Sequence, residues 1–298
     1  MSVRMTTRLR QLLAKPGCVL APGAADGLMA RLVAEAGFEA VYMTGFGTAV
    51  TRLGMPDIGL LTASEMVDHA SRVVDASGLP VVADADTGYG NAINVRRTVR
   101  DYEKAGVAAL HIEDQVSPKR CGHLAGKRVI PVGEMLGKIK AACDARTDPD
   151  LVLIIRTDAI AVEGLEAAFE RAERYKEAGA DMLFLDALVG REHVEKVSAR
   201  FRGVPLLYNM ASSGKTPDIP VAELATMGFK LANFALYGLL AAIPAIRNVL
   251  AEMRKTGTIG HLRSQMATFK ELTDLVGLPE ITELERRYGT PEEFVTTL

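Results

Sequence analysis

The chain has no Ser-rich linker and no run of like charge, so nothing in its 298 residues marks a boundary between bodies or a disordered tail. It lacks an excess of either charge. With 35 basic and 37 acidic residues and no basic stripe interleaved with aromatics, it carries no electrostatic footprint for nucleic acid, and a small molecule is the expected partner. Cysteine is scarce: Cys18, Cys121 and Cys143 form no short-spaced pair and no zinc-like cluster, and the odd count suits a reducing cytoplasm. The longest apolar stretch, Leu231 to Ile246, is broken by Asn233, Gly238 and Pro244 and is too short to span a bilayer, so it reads as core and no membrane partner is expected. Near the N-terminus, Arg4, Arg8, Arg10 and Lys15 fall in a polar, helix-like stretch rather than in a secretory leader, and a cytoplasmic location is expected. No G-x-G-x-x-G opens a helix after the first strand, which removes the main signal for a dinucleotide-binding sheet.

What is present is a repeated alternation. Eight short apolar runs read as strands: Val19–Ala21, Ala40–Thr44, Pro80–Asp84, Ala109–Glu113, Leu151–Thr157, Met182–Leu185, Pro205–Asn209 and Leu231–Leu236. Several follow a helix that ends in a residue plus glycine, at Ala36-Gly37, Ala105-Gly106, Ala178-Gly179 and Met227-Gly228, where glycine supplies the left-handed cap. Between the runs, stretches such as Ser64–Ser77, Val95–Lys104 and Leu165–Glu177 mix apolar and charged residues at helical spacing. Eight β-then-α units with non-alternating strands predict an α/β fold, a (β/α)8 TIM barrel over about 18–247, with an open doubly wound sheet as the alternative. Helices at Phe269–Leu275 and Ile281–Tyr288 exceed the eight units, so the chain is expected to be a single domain with a C-terminal helical extension over about 248–298 that mediates assembly.

In such a barrel, chemistry sits at the carboxyl ends of the strands. Asp84 and Asp86 are two apart and would share a face of an extended strand, and Glu113 can reach the same point from the neighbouring strand about 4.8 Å away. Three converging carboxylates repel one another unless a hard cation such as Mg2+ accepts their oxygens. The bland alternative is that they cap helices or pair with Arg96, Arg97 or Arg156. Lys119-Arg120-Cys121-Gly122-His123 surrounds a cysteine with cations that favour thiolate, although a surface thiol with basic neighbours would look the same. Gly122, Gly126 and Gly133 suit a loop that moves as a lid. His111 is expected to pack, hydrogen-bonded, inside the barrel. Thr87–Asn91 and Gly214–Pro217 contain small residues but lack the spacing of a phosphate-binding loop.

Lys119–His123, Asp84-x-Asp86-x-Gly88-x-Gly90 and His111-Ile112-Glu113-Asp114-Gln115 together resemble the isocitrate lyase and phosphoenolpyruvate mutase superfamily, in particular its short-chain branch. The resemblance covers about 8–290 and continues through Pro56-Asp57, Ile155–Asp158, Asn209-Met210 and Gly214–Pro217. It implies a Mg2+-dependent enzyme, with Mn2+ as a possible substitute, usually a homotetramer with a C-terminal helix exchanged between subunits. It further implies a metal shell of Asp84, Asp86, Asp57 and Glu113, and a substrate carboxylate held by Thr44, Gly45, Gly47 and Arg156. Asp186 and Asn209 complete the substrate side. Tyr42 would take a hydroxyl proton, Cys121 would protonate the departing carbanion, and Lys119, Arg120 and His123 would clamp the leaving carboxylate.

The expected activity is cleavage of a carbon–carbon bond in a 2-alkylmalate or 2-methylisocitrate type acid to pyruvate, or another 2-oxo acid, and a carboxylate. The alternatives are a carboxyphosphonoenolpyruvate phosphonomutase-like isomerase, an oxaloacetate hydrolase, and a non-catalytic barrel that binds a 2-oxo acid. The chain departs from the branch at Asp186, where glutamate is common, at Ala211-Ser212-Ser213, where an acid usually follows the strand 7 asparagine, at Asn233–Tyr237, and at Phe46, often a small residue.

Overall fold

The strands close on themselves. β1 (Val19–Ala24), β2 (Val41–Met43), β3 (Val81–Asp84), β4 (Ala109–Glu113), β5 (Val152–Thr157), β6 (Met182–Leu185), β7 (Leu206–Asn209) and β8 (Phe229–Phe234) pair in sequence order. All neighbours are parallel, and β1 returns to β8 through Val19↔Leu231 to Pro22↔Phe234, which excludes the open sheet. The computed structural model describes residues 3–122, 124–211 and 216–298.

The barrel is followed around its outside by α1 (Met5–Ala14), α2 (Gly27–Glu35), α3 (Gly45–Leu53), α4 (Ala63–Ser77), α5 (Ala92–Lys104), α6 (Val132–Ala145), α7 (Leu165–Glu177), α8 (Gly190–Arg200) and α9 (Val221–Thr226). β2 to β6 are buried along their whole length, β1 and β8 only in part, and the strands serve two apolar layers. On β5, Val152 and Ile154 join the cluster that contains Tyr42, Met182 and Phe184, whereas Leu153 and Ile155 pack with residues of the surrounding helices such as Ile139 and Ala168. Leu9 of α1 reaches the first of these clusters and is fully buried. The expected helix-ending glycines adopt positive φ, 81° at Gly37, 86° at Gly106, 114° at Gly179 and 90° at Gly228, so a side chain there would be strained.

Two local readings change. The apolar stretch at 231–246 is only partly core: Leu231 and Ala232 are buried in β8, but α10 (Tyr237–Thr256) has no buried residue, and Leu240, Ile243 and Ile246 are exposed. Hydropathy does not separate apolar surface from apolar core. Gly133 lies inside α6 and is not part of a mobile loop.

The chain divides into two compact units at Tyr237/Gly238. The second contains the rest of α10, α11 (Phe269–Leu275) and α12 (Leu278–Arg287). Within it, a cavity of about 310 Å³ is lined by apolar side chains including Ile246, Leu250, Leu262 and Met266. Among the described residues no helix is long and apolar enough to cross a membrane.

Candidate active site

The strand ends place most of the expected side chains around one small cavity of about 50 Å³. Tyr42, Thr44, Asp57, Asp84, Arg156, Asp186 and Asn209 line it from the barrel side. Lys119, Cys121 and Gly122 line it from the loop that follows β4, and Phe46, Ala235 and Leu236 supply an apolar wall. Two larger cavities, of about 440 and 430 Å³, lie against the same loop but contain neither the acids of β3 nor Arg156.

β2 turns directly into α3, and that turn depends on glycine. Thr44 caps the helix by accepting from the Gly47 amide at 3.2 Å, and the Gly45 amide donates to Asp84 Oδ2 at 3.2 Å. A Cβ on Gly45 would lie 2.4 Å from Asp84 Oδ2, and one on Gly47 would lie 2.4 Å from Thr44 Cγ2, so neither position tolerates a side chain. Both amides therefore have acceptors already, and of this trio only Thr44 faces the cavity.

Asp84 ends β3, but Asp86 is not on that strand. Its φ of 45° puts it in a turn, so the two acids meet through a left-handed residue rather than through strand alternation. The Asp86 amide donates to Asp84 Oδ1 at 2.9 Å, and the Asp86 carbonyl accepts from the Glu113 amide at 2.9 Å. Lys119 holds the acids together. Its ammonium lies 2.6 and 2.7 Å from the two Asp57 oxygens. It also lies 2.8 Å from Asp86 Oδ1, outside hydrogen-bonding alignment, so that contact is an ion pair and the oxygen keeps no hydrogen-bond donor among the described residues.

Burial pushes the Asp86 carboxyl up to about 6, aided by the charges of Asp84 and Asp57 and opposed by Lys119. Burial acts on Asp84 in the same sense, yet His111, Lys119 and Arg156 together hold it below its ordinary value. Burial also drives Glu113 well above the usual carboxylate range, against the pull of Arg156. For Lys119, burial favours the neutral amine, but Asp86, Asp84, Glu113 and Asp57 outweigh it and raise the ammonium well above its ordinary value.

A divalent cation can be tested against this donor set. Glu113 Oε1 is buried without a hydrogen-bond donor among the described residues, a costly state unless a cation meets it, and Asp86 Oδ1 has the Lys119 ammonium as an ion-pair partner but no hydrogen-bond donor. An all-carboxylate set suits a hard ion. Among the described residues the acids are not gathered as a ready metal cluster, and the Lys119 ammonium balances part of their charge. The chemistry of the residues fits such an ion.

Tyr42 donates to or accepts from His111 Nε2 at 2.9 Å, with the rings stacked 5.8 Å apart, and His111 is fully buried inside the barrel. Burial lowers His111 to about 4 despite the nearby Asp84, and burial raises Tyr42 well above 10, so the pair is neutral imidazole and phenol at neutral pH. On the other side, Arg156 makes a two-point pair with Asp158 at 2.9 and 2.9 Å and reaches Asp186 Oδ2 at 2.8 Å. Asn209 Nδ2 donates to Asp186 Oδ1 at 3.1 Å, and Asn209 Oδ1 is buried without a donor among the described residues.

The loop sits close over this floor. The Cys121 amide donates to the Asp57 carbonyl at 3.1 Å, which places the half-buried thiol at the cavity wall. A Cβ on Gly122 would lie 2.0 Å from Asp186 Oδ2 and 2.6 Å from Arg156 Nη2, so only glycine fits there. Arg120 points elsewhere: it is exposed, its Nη1 donates to the Ala125 carbonyl at 3.0 Å, and it does not line the cavity. His123 and the 212–215 stretch lie outside the described residues. Sequence reasoning gave no role to Lys127, Asp158, Asp114 or Arg171, although all four are buried charged groups joined around Arg156 and the loop. Their partners are far apart in sequence, which spacing cannot reveal.

A closed parallel barrel with acids, an arginine and a loop-borne cysteine converging at the strand ends defines an α/β-barrel enzyme with its chemistry at the C-terminal mouth. The chain belongs to the phosphoenolpyruvate phosphomutase family, whose sequence pattern matches residues 9–254. It is 44% identical over 283 residues to 2,3-dimethylmalate lyase of Eubacterium barkeri, covering 95% of this chain and 98% of that one. It is also 44% identical over 270 residues to 2-methylisocitrate lyase of Aeropyrum pernix, covering 90% and 86%. Its fold superposes on a crystal structure of 2,3-dimethylmalate lyase, a member of the PEP mutase/isocitrate lyase superfamily, with a TM-score of 0.93, 39% identity and full coverage of both chains. A phosphonopyruvate hydrolase solved with oxalate and Mg2+ superposes with a TM-score of 0.87 at 29% identity, covering 96% of this chain and 99% of that one.

Proposed function

We propose that the protein is a carbon–carbon lyase that cleaves a 2-hydroxy acid of the 2-alkylmalate or 2-methylisocitrate type to pyruvate, or another 2-oxo acid, and a carboxylate, through an enolate intermediate. The observation that carries this reading is the opposition of the Cys121 loop to the Asp57, Asp84 and Arg156 floor across a single small cavity. Mg2+ is the proposed cofactor, with Mn2+ as a substitute, held by Asp84, Asp86, Asp57 and Glu113. When bound, such an ion makes the substrate hydroxyl more acidic and stabilises negative charge on the developing oxo acid.

In the reaction, the hydroxyl on C2 loses its proton, the carbonyl forms at C2, and the C2–C3 bond breaks with its electron pair left on C3. Arg156 anchors a substrate carboxylate, and Thr44 and Asn209 add polar contacts at the cavity wall. Tyr42 faces the hydroxyl as a phenol, so it takes that proton only as its own passes to His111, 2.9 Å behind it. Cys121, on the opposite wall, donates a proton to C3 and completes the carboxylate product. Phe46, Ala235 and Leu236 favour an apolar substituent on the substrate. Lys119 and His123 are proposed to act on the leaving carboxylate; Arg120 serves the loop.

A panel of 2-alkylmalates and 2-methylisocitrate, coupled to lactate dehydrogenase, tests the reading. Metal-dependent pyruvate release with wild type and its loss in Cys121→Ser are expected, and undiminished turnover by that variant would exclude the assigned acid. The small cavity favours a second reading, hydrolysis of the compact substrate oxaloacetate, which an oxalate assay separates. The barrel and C-terminal helices are proposed to form one domain of a cytoplasmic homotetramer, in which a C-terminal helix is exchanged between subunits. The exposed Leu240, Ile246 and Leu250 of α10 support assembly.

A further inference from the structure

The loop after β4 is fastened at two places by buried lysines. Lys119 binds the acids expected to meet a cation, so its partners have another claim on them. Lys127 differs. Its ammonium donates to the Gly122 carbonyl and to Asp158 Oδ1 at 3.0 Å, with 3% of its side chain exposed, and it does not line the catalytic cavity.

Asp158 is the shared point. Its amide donates to Asp114 Oδ1 at 3.0 Å, and Asp114 Oδ2 is in turn fixed by Thr157 Oγ1 at 2.7 Å and Tyr175 at 2.9 Å. Its carboxylate, fully buried, takes Lys127 from the loop and both nitrogens of the Arg156 fork from the floor. With the loop shut, the cations Lys127 and Arg156 face the carboxylates Asp158 and Asp186. Arg156 Nε and Nη2 are held by Asp158 and Asp186 even with the loop shut; if the loop lifts, Arg156 alone neutralises both carboxylates and has less of its charge left for an incoming carboxylate.

We propose that Lys127 is a positioning residue that latches the described loop residues 115–122 and 124–130 shut through Asp158, and so couples closure of Gly122 and Cys121 over the cavity to the availability of Arg156 for substrate. The coupling to substrate rests on the lyase reading; the latch does not. Because coupling is reciprocal, substrate that engages Arg156 also favours the closed loop.

Hydrogen exchange and kinetics of Lys127→Met and Lys127→Arg test both halves. In the closed loop the amides of Arg120, Cys121 and Leu124 donate to Gln115 Oε1, the Asp57 carbonyl and the Cys121 carbonyl, and they report its opening. Lys127→Met is expected to speed their exchange at least about tenfold, since it removes the charge-assisted hydrogen bonds to the Gly122 carbonyl and Asp158, and Lys127→Arg to restore most of the protection. Strands β5 and β6 should keep wild-type protection. Unchanged loop exchange overturns the latch, and so does loss of protection spread through β5 and β6, the mark of a merely structural lysine. On a substrate that the wild type turns over, KM should rise about tenfold with a smaller fall in kcat. Faster exchange with unchanged KM overturns the coupling. A wild type inert towards every 2-hydroxy acid overturns the lyase reading while the exchange data still decide the latch.

Discussion

Lys119 and Asp57 form a two-point buried pair, with the ammonium 2.6 and 2.7 Å from the two carboxylate oxygens. Both side chains are at least nine-tenths buried, so each depends on the other for its charge to persist away from water. Lys119→Met should destabilise the metal-free protein by about 3–5 kcal/mol, the cost of leaving a buried charge without its partner. Because the same acids are proposed to hold Mg2+, added Mg2+ should raise the melting temperature of Lys119→Met more than that of wild type. Thermal denaturation with and without Mg2+ reads this directly; a melting temperature indifferent to Mg2+ in both proteins would remove Asp57 and Asp86 from the metal shell.

Gly122 is predicted to be intolerant of even one methyl group. A Cβ there would collide with Asp186 Oδ2 and Arg156 Nη2, neither of which is the far end of an idle surface chain, since each is tied to other buried partners. Gly122→Ala should lower kcat/KM by about 100-fold, as expected when the loop carrying a catalytic group is displaced by about an ångström. Circular dichroism and melting should stay near wild type, because the displaced segment is a loop. Retention of full activity would mean that the loop does not close against Asp186 during turnover.

The cysteines should separate by reactivity. Burial pushes the Cys18 thiol up to about 12, only partly offset by Lys230, and burial also raises Cys143. A raised thiol pKa reduces the thiolate, the reactive form, at any pH below it, so at pH 8 only about 1 in 10,000 Cys18 groups is ionised. Iodoacetamide at pH 8 should therefore label Cys121 first, and oxalate with Mg2+ should slow that labelling by covering the cavity. Peptide mass spectrometry resolves the three sites. Labelling led by Cys18 would contradict the desolvation of its half-buried thiol.

The β4 and β6 limits follow from apolar runs, and the glycines after α2, α5, α7 and α9 mark helix ends by composition alone. Strand alternation predicts Asp84 and Asp86 on one face, but a left-handed turn at Asp86 brings them together, a conformation that a non-glycine residue seldom signals. Lys119 was legible as a cation beside Cys121, yet its attachment to Asp57, 62 positions away, is a tertiary fact. The same holds for Lys127 and Asp158, 31 positions apart, where neither periodicity nor local charge pattern points to the partner. Family resemblance supplied roles that spacing did not, while the apolar run into α10 shows the opposite failure, since hydropathy took exposed positions for core.

The exposed positions of α10 give the last prediction. Ile246 and Leu250 stand one turn apart on the helix and are 56% and 58% exposed. With just over half of each side chain in water, covering it would add about 1–1.5 kcal/mol of burial, and Leu240 and Met253, 46% and 49% exposed, extend the apolar surface. A second copy of the chain, as proposed for the homotetramer, would cover such side chains. Ile246→Glu and Leu250→Glu together place two charges where that contact would form, and light scattering on size-exclusion eluate should show a species smaller than the wild-type assembly. The barrel's own core does not include either residue, so circular dichroism should be preserved. A wild type that elutes as a monomer, or a double variant that keeps the wild-type mass, would show that α10 does not hold subunits together.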